Sequence, residues 1–213
     1  MSSTRWHWVG ERALLRSFEG DLLSANASAR DACEQLVALG APEIEDVVLA
    51  ARSVLVVLEP GAEPSPELIE LLDRETSRPL ARSPGRVREI AVRYGGEDGP
   101  DLPSVAEAHG MTEEQVVRAH VDVEYTVGFI GFSPGFPYLL GLDARLATSR
   151  LDSPRVRVPA GSVGIGGAYT GIYPRSTPGG WRLIGRADVE LFDPARDPPA
   201  LLTAGDRVRF VAR

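Results

Sequence analysis

No lysine occurs anywhere in the 213 residues, so all 23 formal positive charges are arginine. That absence excludes Schiff-base chemistry, a P-loop lysine, a lysine general base and a biotin-accepting lysine in this chain. Cysteine is almost absent too. Cys33 stands alone, which excludes an intrachain disulfide and a cysteine metal cluster, and its place beside an apolar helix face reads as a buried, inert thiol. The three histidines, His7, His109 and His120, are too scattered to propose a zinc site, and no metal is expected. No apolar run approaches the length of a membrane span, and the opening MSSTRWHWVGERALL lacks the apolar core of a signal peptide. The cytoplasm is therefore the expected location. Thirty acidic residues against 23 arginines give a net charge of −7, which argues against nucleic acid or an anionic membrane as partner.

What is present is enough apolar residue, 43%, to bury cores, and a change of character near Ser77–Arg86. The fold class read from the pattern is α+β: a small N-terminal α/β domain over 1–82, then a mostly β domain over 83–213. In the first part, RALLRSF reads as a strand. A helix within Ala25–Leu39 puts Ala25, Ala29, Ala32, Leu36 and Leu39 on one face, with Gly40 placed for a left-handed cap. EDVVLAARSVLVVLEP gives two strands broken around Ala51 and Arg52. SPELIELLDRE starts a helix with Ser65 as N-cap and Pro66 at the first helical position. The order is β-α-β-β-α, and nothing in it resembles a catalytic motif.

The second part opens with the strand REIAVRYGG and two short helices in LPSVAEAHGMTEEQVVRAH. Ser104 with Glu107, and Thr112 with Gln115, have the spacing of two capping boxes. The pair scans like a helix-turn-helix, yet Glu113 and Glu114 would meet DNA phosphates, so it reads as a structural helix pair. In VDVEYTVGF the residues Val121, Val123, Tyr125, Val127 and Phe129 share one face, then Ile130 and Phe132 switch it. A bulge at Gly128 or Gly131 accounts for the switch. Short strands punctuated by Gly and Pro continue to the end, as in a compact barrel.

Gly131-Phe132-Ser133-Pro134-Gly135 is a literal G-x-S-x-G, the string of a hydrolase nucleophile elbow. The residue after the serine should donate its N–H to the oxyanion, and Pro134 has none. All three histidines also precede Ser133. The match is an accident of a Gly/Pro-rich loop. That loop, GFSPGFPYL, sets Phe132, Phe136 and Tyr138 on a stiff backbone suited to lining a pocket or meeting a partner. SPRVRVPAGSVGIGGAYTGIYP and STPGGWRLIGR share its style. Neither carries a Walker pattern or a strict G-x-G-x-x-G, though backbone nests and arginines there suit an anion.

The run AHVDVEYTVGFIGFSPGFPYLLGL, then SRLDSPRVRVPAGSVGIGGAYTGIYPRSTPGGWRLIGR, then LFDP and LLTAGDRVRF, resembles the allophanate hydrolase subunit 1 family. That family includes the B-type subunit of bacterial 5-oxoprolinase and the KipI-like inhibitors of sensor histidine kinases. The resemblance covers the whole second part, and the first part agrees in pattern. Its motif G-F-x-P-G-F-x-Y-L leaves the serine position variable; one departure is Ser149-Arg150, where members often carry Pro-Arg. The resemblance implies a cyclophilin-like β-barrel. It also implies a heteromeric complex with a homologous C-type subunit, like allophanate hydrolase subunit 2, and with the A-type subunit of 5-oxoprolinase. The implied activity is opening of 5-oxo-L-proline to L-glutamate coupled to hydrolysis of ATP as co-substrate, with Mg²⁺ held elsewhere in the complex. The alternatives are a KipI-like kinase inhibitor, or a component of a urea- or allophanate-metabolising enzyme.

On these expectations His120 is a proton carrier or substrate hydrogen-bond partner, with a structural role as the alternative. Arg155 and Arg157, alternate residues on one strand, share a face and receive a carboxylate or phosphate. Pro159, Gly161, Ser162 and the backbone through Gly167 are candidates for phosphate contact. Gly135, Phe136, Tyr138, Gly179, Gly180 and Trp181 line the site or the interface between subunits.

Overall fold

The computed structural model describes residues 6–74 and 87–213, and the linker expected at Ser77–Arg86 lies outside the described residues. The chain divides into two compact units, 1–83 and 84–213.

The first unit runs β1 (Trp6–Val9), β2 (Ala13–Ser17), α1 (Leu22–Leu39), β3 (Ile44–Leu49), β4 (Ser53–Leu58) and α2 (Pro66–Asp73). Its antiparallel sheet has the order β1-β2-β4-β3. Strand alternation turns Leu14, Val54, Val56 and Leu58 to one face, where they are buried in one cluster with Ala25, Ala29, Leu36 and Leu68. Asp21 starts α1 by accepting from the Ser24 amide, and Gly40 ends it at φ 59° with its N–H on the Val37 carbonyl. Ser65 and Pro66 open α2 as the sequence predicts. The buried guanidinium of Arg16 donates to the carbonyls of Leu71 and Arg74, satisfying the C-terminal end of α2 with a positive charge where the helix dipole favours one. Strand β1 escapes the sequence reading because it is an edge strand with no fully buried residue, so its side chains carry no alternation. Cys33 packs against the core, and burial pushes its thiol up, away from the reactive thiolate.

The second unit runs β5 (Val87–Tyr94), α3 (Leu102–Ala108), α4 (Glu113–Val121), β6 (Glu124–Ile130), β7 (Pro137–Leu140), β8 (Arg155–Val158), β9 (Ser162–Gly166), β10 (Tyr169–Ile172), β11 (Thr177–Gly179), β12 (Arg182–Ala187) and β13 (Arg207–Ala212). Seven strands close a barrel in the order β10-β7-β6-β13-β5-β12-β9, while β8 and β11 form a separate two-stranded arm. The β5–β13 pairing is parallel; the other barrel pairings are antiparallel. Leu139, Val163, Ile165, Ile172, Val208 and Phe210 fill the interior. The bulge falls at Gly128: the β6–β7 register shifts between Val127 and Phe129, and a Cβ at Gly128 would lie 2.8 Å from the Leu140 side chain.

Two local expectations fail. The Thr112–Gln115 capping box forms, and the helix it starts runs through Val121, so the strand begins only at Glu124. No Ser104–Glu107 box forms, because α3 already starts at Leu102 and the Ser104 hydroxyl donates back to the Asp101 carbonyl. Among the described residues no helix is long and apolar enough to cross a membrane.

Candidate functional site

The motif-rich segments converge on the outside of the barrel wall at β7, β9 and β10. On β9 and β10 inward residues alternate with outward glycines, and the glycines let rings lie flat against backbone. A Cβ at Gly166 would sit 2.5 Å from the Trp181 ring, and one at Gly171 would meet the Pro137 carbonyl at 2.6 Å. Trp181, Phe136 and Tyr173 are thereby buried under the β8–β11 arm with Val158 and Leu183. Phe136 meets Trp181 edge-to-face at 5.3 Å and Tyr173 at 5.1 Å. Tyr138 continues the layer, stacked on Phe129 at 4.2 Å and edge-on to Tyr169 at 5.6 Å. The Arg150 guanidinium lies 6.0 Å from the Trp181 ring centroid. Burial pushes the phenols of Tyr138 and Tyr173 up, and the charge of Arg150 opposes that shift in both.

At one end of this layer the β6–β7 loop is stretched. Phe132 has φ 65°, and the Ser133 amide donates to the Gly131 carbonyl at 2.6 Å, a γ-turn in the left-handed region. Such a conformation costs about 1–3 kcal/mol in a residue with a side chain. The Phe132 ring is nevertheless 60% exposed, touching the edges of Phe136 at 5.4 Å and Tyr173 at 6.2 Å. Ser133 Oγ is buried and has no hydrogen-bond partner among the described residues, so no base stands within reach to activate it. Gly135, at φ 77°, packs on Phe192, whose Cβ is 2.7 Å from where a Cβ of its own would stand.

His120 is elsewhere, on the inner side of the wall. It is fully buried, stacked on Phe210 at 4.7 Å, with Nδ1 2.8 Å from the Tyr94 hydroxyl and Nε2 2.9 Å from the Thr170 hydroxyl. The Thr170 hydroxyl donates its proton to the Gly164 carbonyl at 3.0 Å and must therefore accept from Nε2–H. That fixes the tautomer: Tyr94 donates to Nδ1, and a neutral imidazole donates from Nε2. Burial pushes the His120 pKa down to about 3. The proton-carrier expectation is corrected: His120 is a satisfied interior group separated from the aromatic layer by the strands themselves.

The arginine pair is corrected as well. The β8–β11 register shifts so that Val158 faces Thr177 but Arg155 faces Gly179, a bulge that breaks the alternation on which a shared face depended. Arg155 pairs with Asp101 at 2.7 Å and reaches the Trp181 carbonyl, while the other Asp101 oxygen accepts from the Leu183 amide. Arg157 points to the Ser176 hydroxyl, and Val156 between them is 89% exposed. The phosphate cradle also dissolves. The Gly161, Ser162 and Gly167 amides donate to Tyr173, Pro159 and Thr148, and β9 between them is laddered on both sides. Pro159 is exposed at that turn, and a Cβ at Gly161 would clash with the Ala187 carbonyl at 2.3 Å. Gly179 lies under the Tyr173 hydroxyl, and the Gly180 carbonyl accepts from Leu151. The sequence reading missed Arg150 and Tyr94. Arg150 sits in a loop with no periodicity, and Tyr94 is paired with His120 only through the barrel.

A separate cleft of about 520 Å³ opens beside α4, lined by Tyr94, Leu102, Glu113, Glu114, Arg118 and Asp122 among others. Three carboxylates against one guanidinium make it hostile to an anionic ligand. Among the described residues no group of histidine, cysteine and acidic side chains is placed to hold a metal ion.

These features define a class: an α+β chain whose second unit is a closed barrel with a glycine-backed aromatic layer on its outer wall. The chain belongs to the family of the carboxyltransferase domain, subdomain C and D, whose profile matches residues 4–202. It is 44% identical over 213 residues to the 5-oxoprolinase B-type subunit of Escherichia coli O157:H7, covering 99% of this chain and 97% of that one. Of solved structures, TTHA0988 superposes with a TM-score of 0.81 at 38% identity, covering 95% of this chain but only 40% of its own. The Kluyveromyces lactis urea amidolyase superposes at 0.76 with 19% identity, covering all of this chain and 15% of its own, a likeness of fold alone.

Proposed function

We propose that this chain is the B-type subunit of an ATP-dependent 5-oxoprolinase, which opens 5-oxo-L-proline to L-glutamate with hydrolysis of ATP. The observation that carries this is the near full-length likeness to a 5-oxoprolinase B-type subunit, with both chains covered almost end to end. The chemistry explains why one polypeptide would not suffice. The lactam is an unstrained, unreactive amide, and transfer of a phosphoryl group to its oxygen makes the ring carbon an electrophile that water attacks. The task is orientation and charge neutralisation, which composite sites perform well.

Within that assembly this chain presents half-buried Tyr138 and exposed Arg150, backed by Phe136 and Trp181, which are buried within the fold. In this reading ATP is a co-substrate of the complex, with Mg²⁺ held elsewhere in it, and the internal hydrogen bonds of the Gly161, Ser162 and Gly167 amides support a nucleotide site outside this loop. A homologous C-type subunit completes the site, joined by the A-type subunit. The test is reconstitution of the three polypeptides with phosphate release measured against 5-oxo-L-proline. Release that depends on 5-oxo-L-proline and disappears when this chain is omitted supports the reading. Release with urea or allophanate instead overturns it.

A further inference from the structure

We propose that Arg150 receives the carboxylate of the substrate, with the half-buried rings of Tyr138 and Tyr169 taking the flat face of the molecule beside it. The ligand class is a small planar ring bearing one carboxylate, and 5-oxo-L-proline belongs to that class. The proposal rests on the 5-oxoprolinase reading given above and places that substrate's carboxylate on this chain. Arg155 and Arg157, the arginines the sequence nominates for an anion, do not fill the role: Arg155 is paired with Asp101, and Arg157 is turned to Ser176.

Position comes first. The Arg150 guanidinium lies against the aromatic layer itself, 6.0 Å from the Trp181 ring centroid, and its charge is felt by both the Tyr138 and the Tyr173 phenol. The segment that carries it is fastened on both sides. The Thr148 carbonyl accepts from the Gly167 amide at 2.8 Å, and the Ser149 carbonyl accepts from Arg182 Nε at 3.2 Å. Beyond Arg150, the Leu151 amide donates to the Gly180 carbonyl at 2.7 Å. The backbone is thus ordered before a ligand arrives, which lowers the cost of binding.

Chemistry follows from what the guanidinium lacks. Arg155 has Asp101, Arg182 has the Ser149 carbonyl, and Arg186 has the Ala160 carbonyl. The Arg150 side chain is exposed and has no ion-pair or hydrogen-bond partner among the described residues. Its planar fork of donors matches the two oxygens of a carboxylate. On the same wall, burial holds the Tyr138 phenol in its protonated, donating form. The Tyr138 ring is stacked on Phe129 at 4.2 Å, and Tyr169 stands edge-on to it at 5.6 Å, so the wall offers ring surface to a flat ligand. The turn before Tyr169 is Gly167-Ala168, exposed and too small to cover that surface. A nucleotide phosphate is the other anion that suits a guanidinium, and the experiment separates the two.

The experiment is steady-state kinetics of the reconstituted complex with wild type, Arg150→Gln, Arg150→Lys and Arg157→Gln, varying 5-oxo-L-proline and ATP in turn. Arg150→Gln is expected to raise KM for 5-oxo-L-proline about 30-fold or more, equivalent to about 2 kcal/mol, with kcat and KM for ATP within threefold of wild type. Arg150→Lys keeps the charge but not the fork and is expected to fall between the two. Inhibition by the uncharged carboxamide of 5-oxo-L-proline is expected to be equal in wild type and Arg150→Gln, since it offers no carboxylate. A merely structural role would weaken acid and amide alike, and that parallel loss overturns the proposal. So does a KM for 5-oxo-L-proline within threefold of wild type, a rise in KM for ATP instead, or an equal rise with Arg157→Gln; each leaves the B-type reading standing. A wild-type complex without turnover that depends on 5-oxo-L-proline overturns both.

Discussion

Replacing His120 separates a catalytic imidazole from a structural one, because the two readings give opposite rankings of stability and turnover. Truncation to alanine removes a ring stacked on Phe210 and packed against Tyr94 and Tyr125 at centroid distances of 4.7, 5.7 and 5.4 Å. Deleting a buried ring costs about 2–3 kcal/mol in lost transfer energy and cavity. Leaving the Tyr94 hydroxyl without an acceptor adds about 1–2 kcal/mol. The sum is about 4 kcal/mol, which lowers the melting temperature of the barrel unit by roughly 10–20 °C. His120→Phe refills the space but keeps the orphaned hydroxyl, so His120→Phe with Tyr94→Phe is expected to be more stable than His120→Phe alone by about 1 kcal/mol. The assay is guanidinium unfolding followed by near-ultraviolet circular dichroism.

Linkage gives a second signature of the same residue. The folded pKa, about 3, lies below the ordinary histidine value of 6.5, so the unfolded chain binds the extra proton between these limits. The stability due to the neutral ring is fully present above pH 6.5 and is lost on acidification toward pH 3, at about 1.4 kcal/mol per pH unit. His120→Phe is expected to lose that slope. An alanine variant that unfolds within 1 kcal/mol of wild type yet abolishes turnover in the reconstituted complex would refute the structural role and restore the catalytic histidine.

Other consequences are simpler to test. Arg155→Met is expected to destabilise the barrel unit by about 1–3 kcal/mol, because Asp101 is left mostly buried without its cation, while KM for 5-oxo-L-proline stays within threefold; a tenfold rise in KM would return Arg155 to the substrate. Gly166→Ala is expected to cost more than 2 kcal/mol and to change the tryptophan circular dichroism signal, since its methyl would overlap the Trp181 ring; unchanged spectra and stability would contradict the packing described. Ser133→Ala is expected to raise stability by about 1 kcal/mol and leave turnover in place, because it deletes a buried hydroxyl that bonds to nothing among the described residues; loss of turnover with retained folding would revive the nucleophile.

What was legible in the sequence was what depends on neighbours along the chain. The Gly40 cap, the Ser65-Pro66 start and the Gly128 bulge are each decided within a few residues and are found; the α1 face is found through Leu36, while Leu39 in the last turn is exposed. The coating of the barrel wall was half legible. GFSPGFPYL and STPGGWRLIGR announced rings beside glycines, but only the closed barrel brings Gly166 and Gly171 under Trp181. The polar roles were illegible for the same reason. Arg155 finds Asp101 across 54 residues, and His120 finds Tyr94 and Thr170 across 26 and 50, so no local spacing distinguishes a paired group from a free one. The alternation rule for Arg155 and Arg157 failed at a bulge, which sequence periodicity does not register.

The parallel pairing of β5 with β13 joins the earliest strand of the cylinder to its last. During synthesis, six of the seven staves therefore stand with two open margins until the final one emerges from the ribosome. Until then those margins are templates for pairing with any other nascent chain. Removal of Arg207–Ala212 should accordingly produce aggregation rather than a slightly weaker protein, since it reopens the seam on both sides at once.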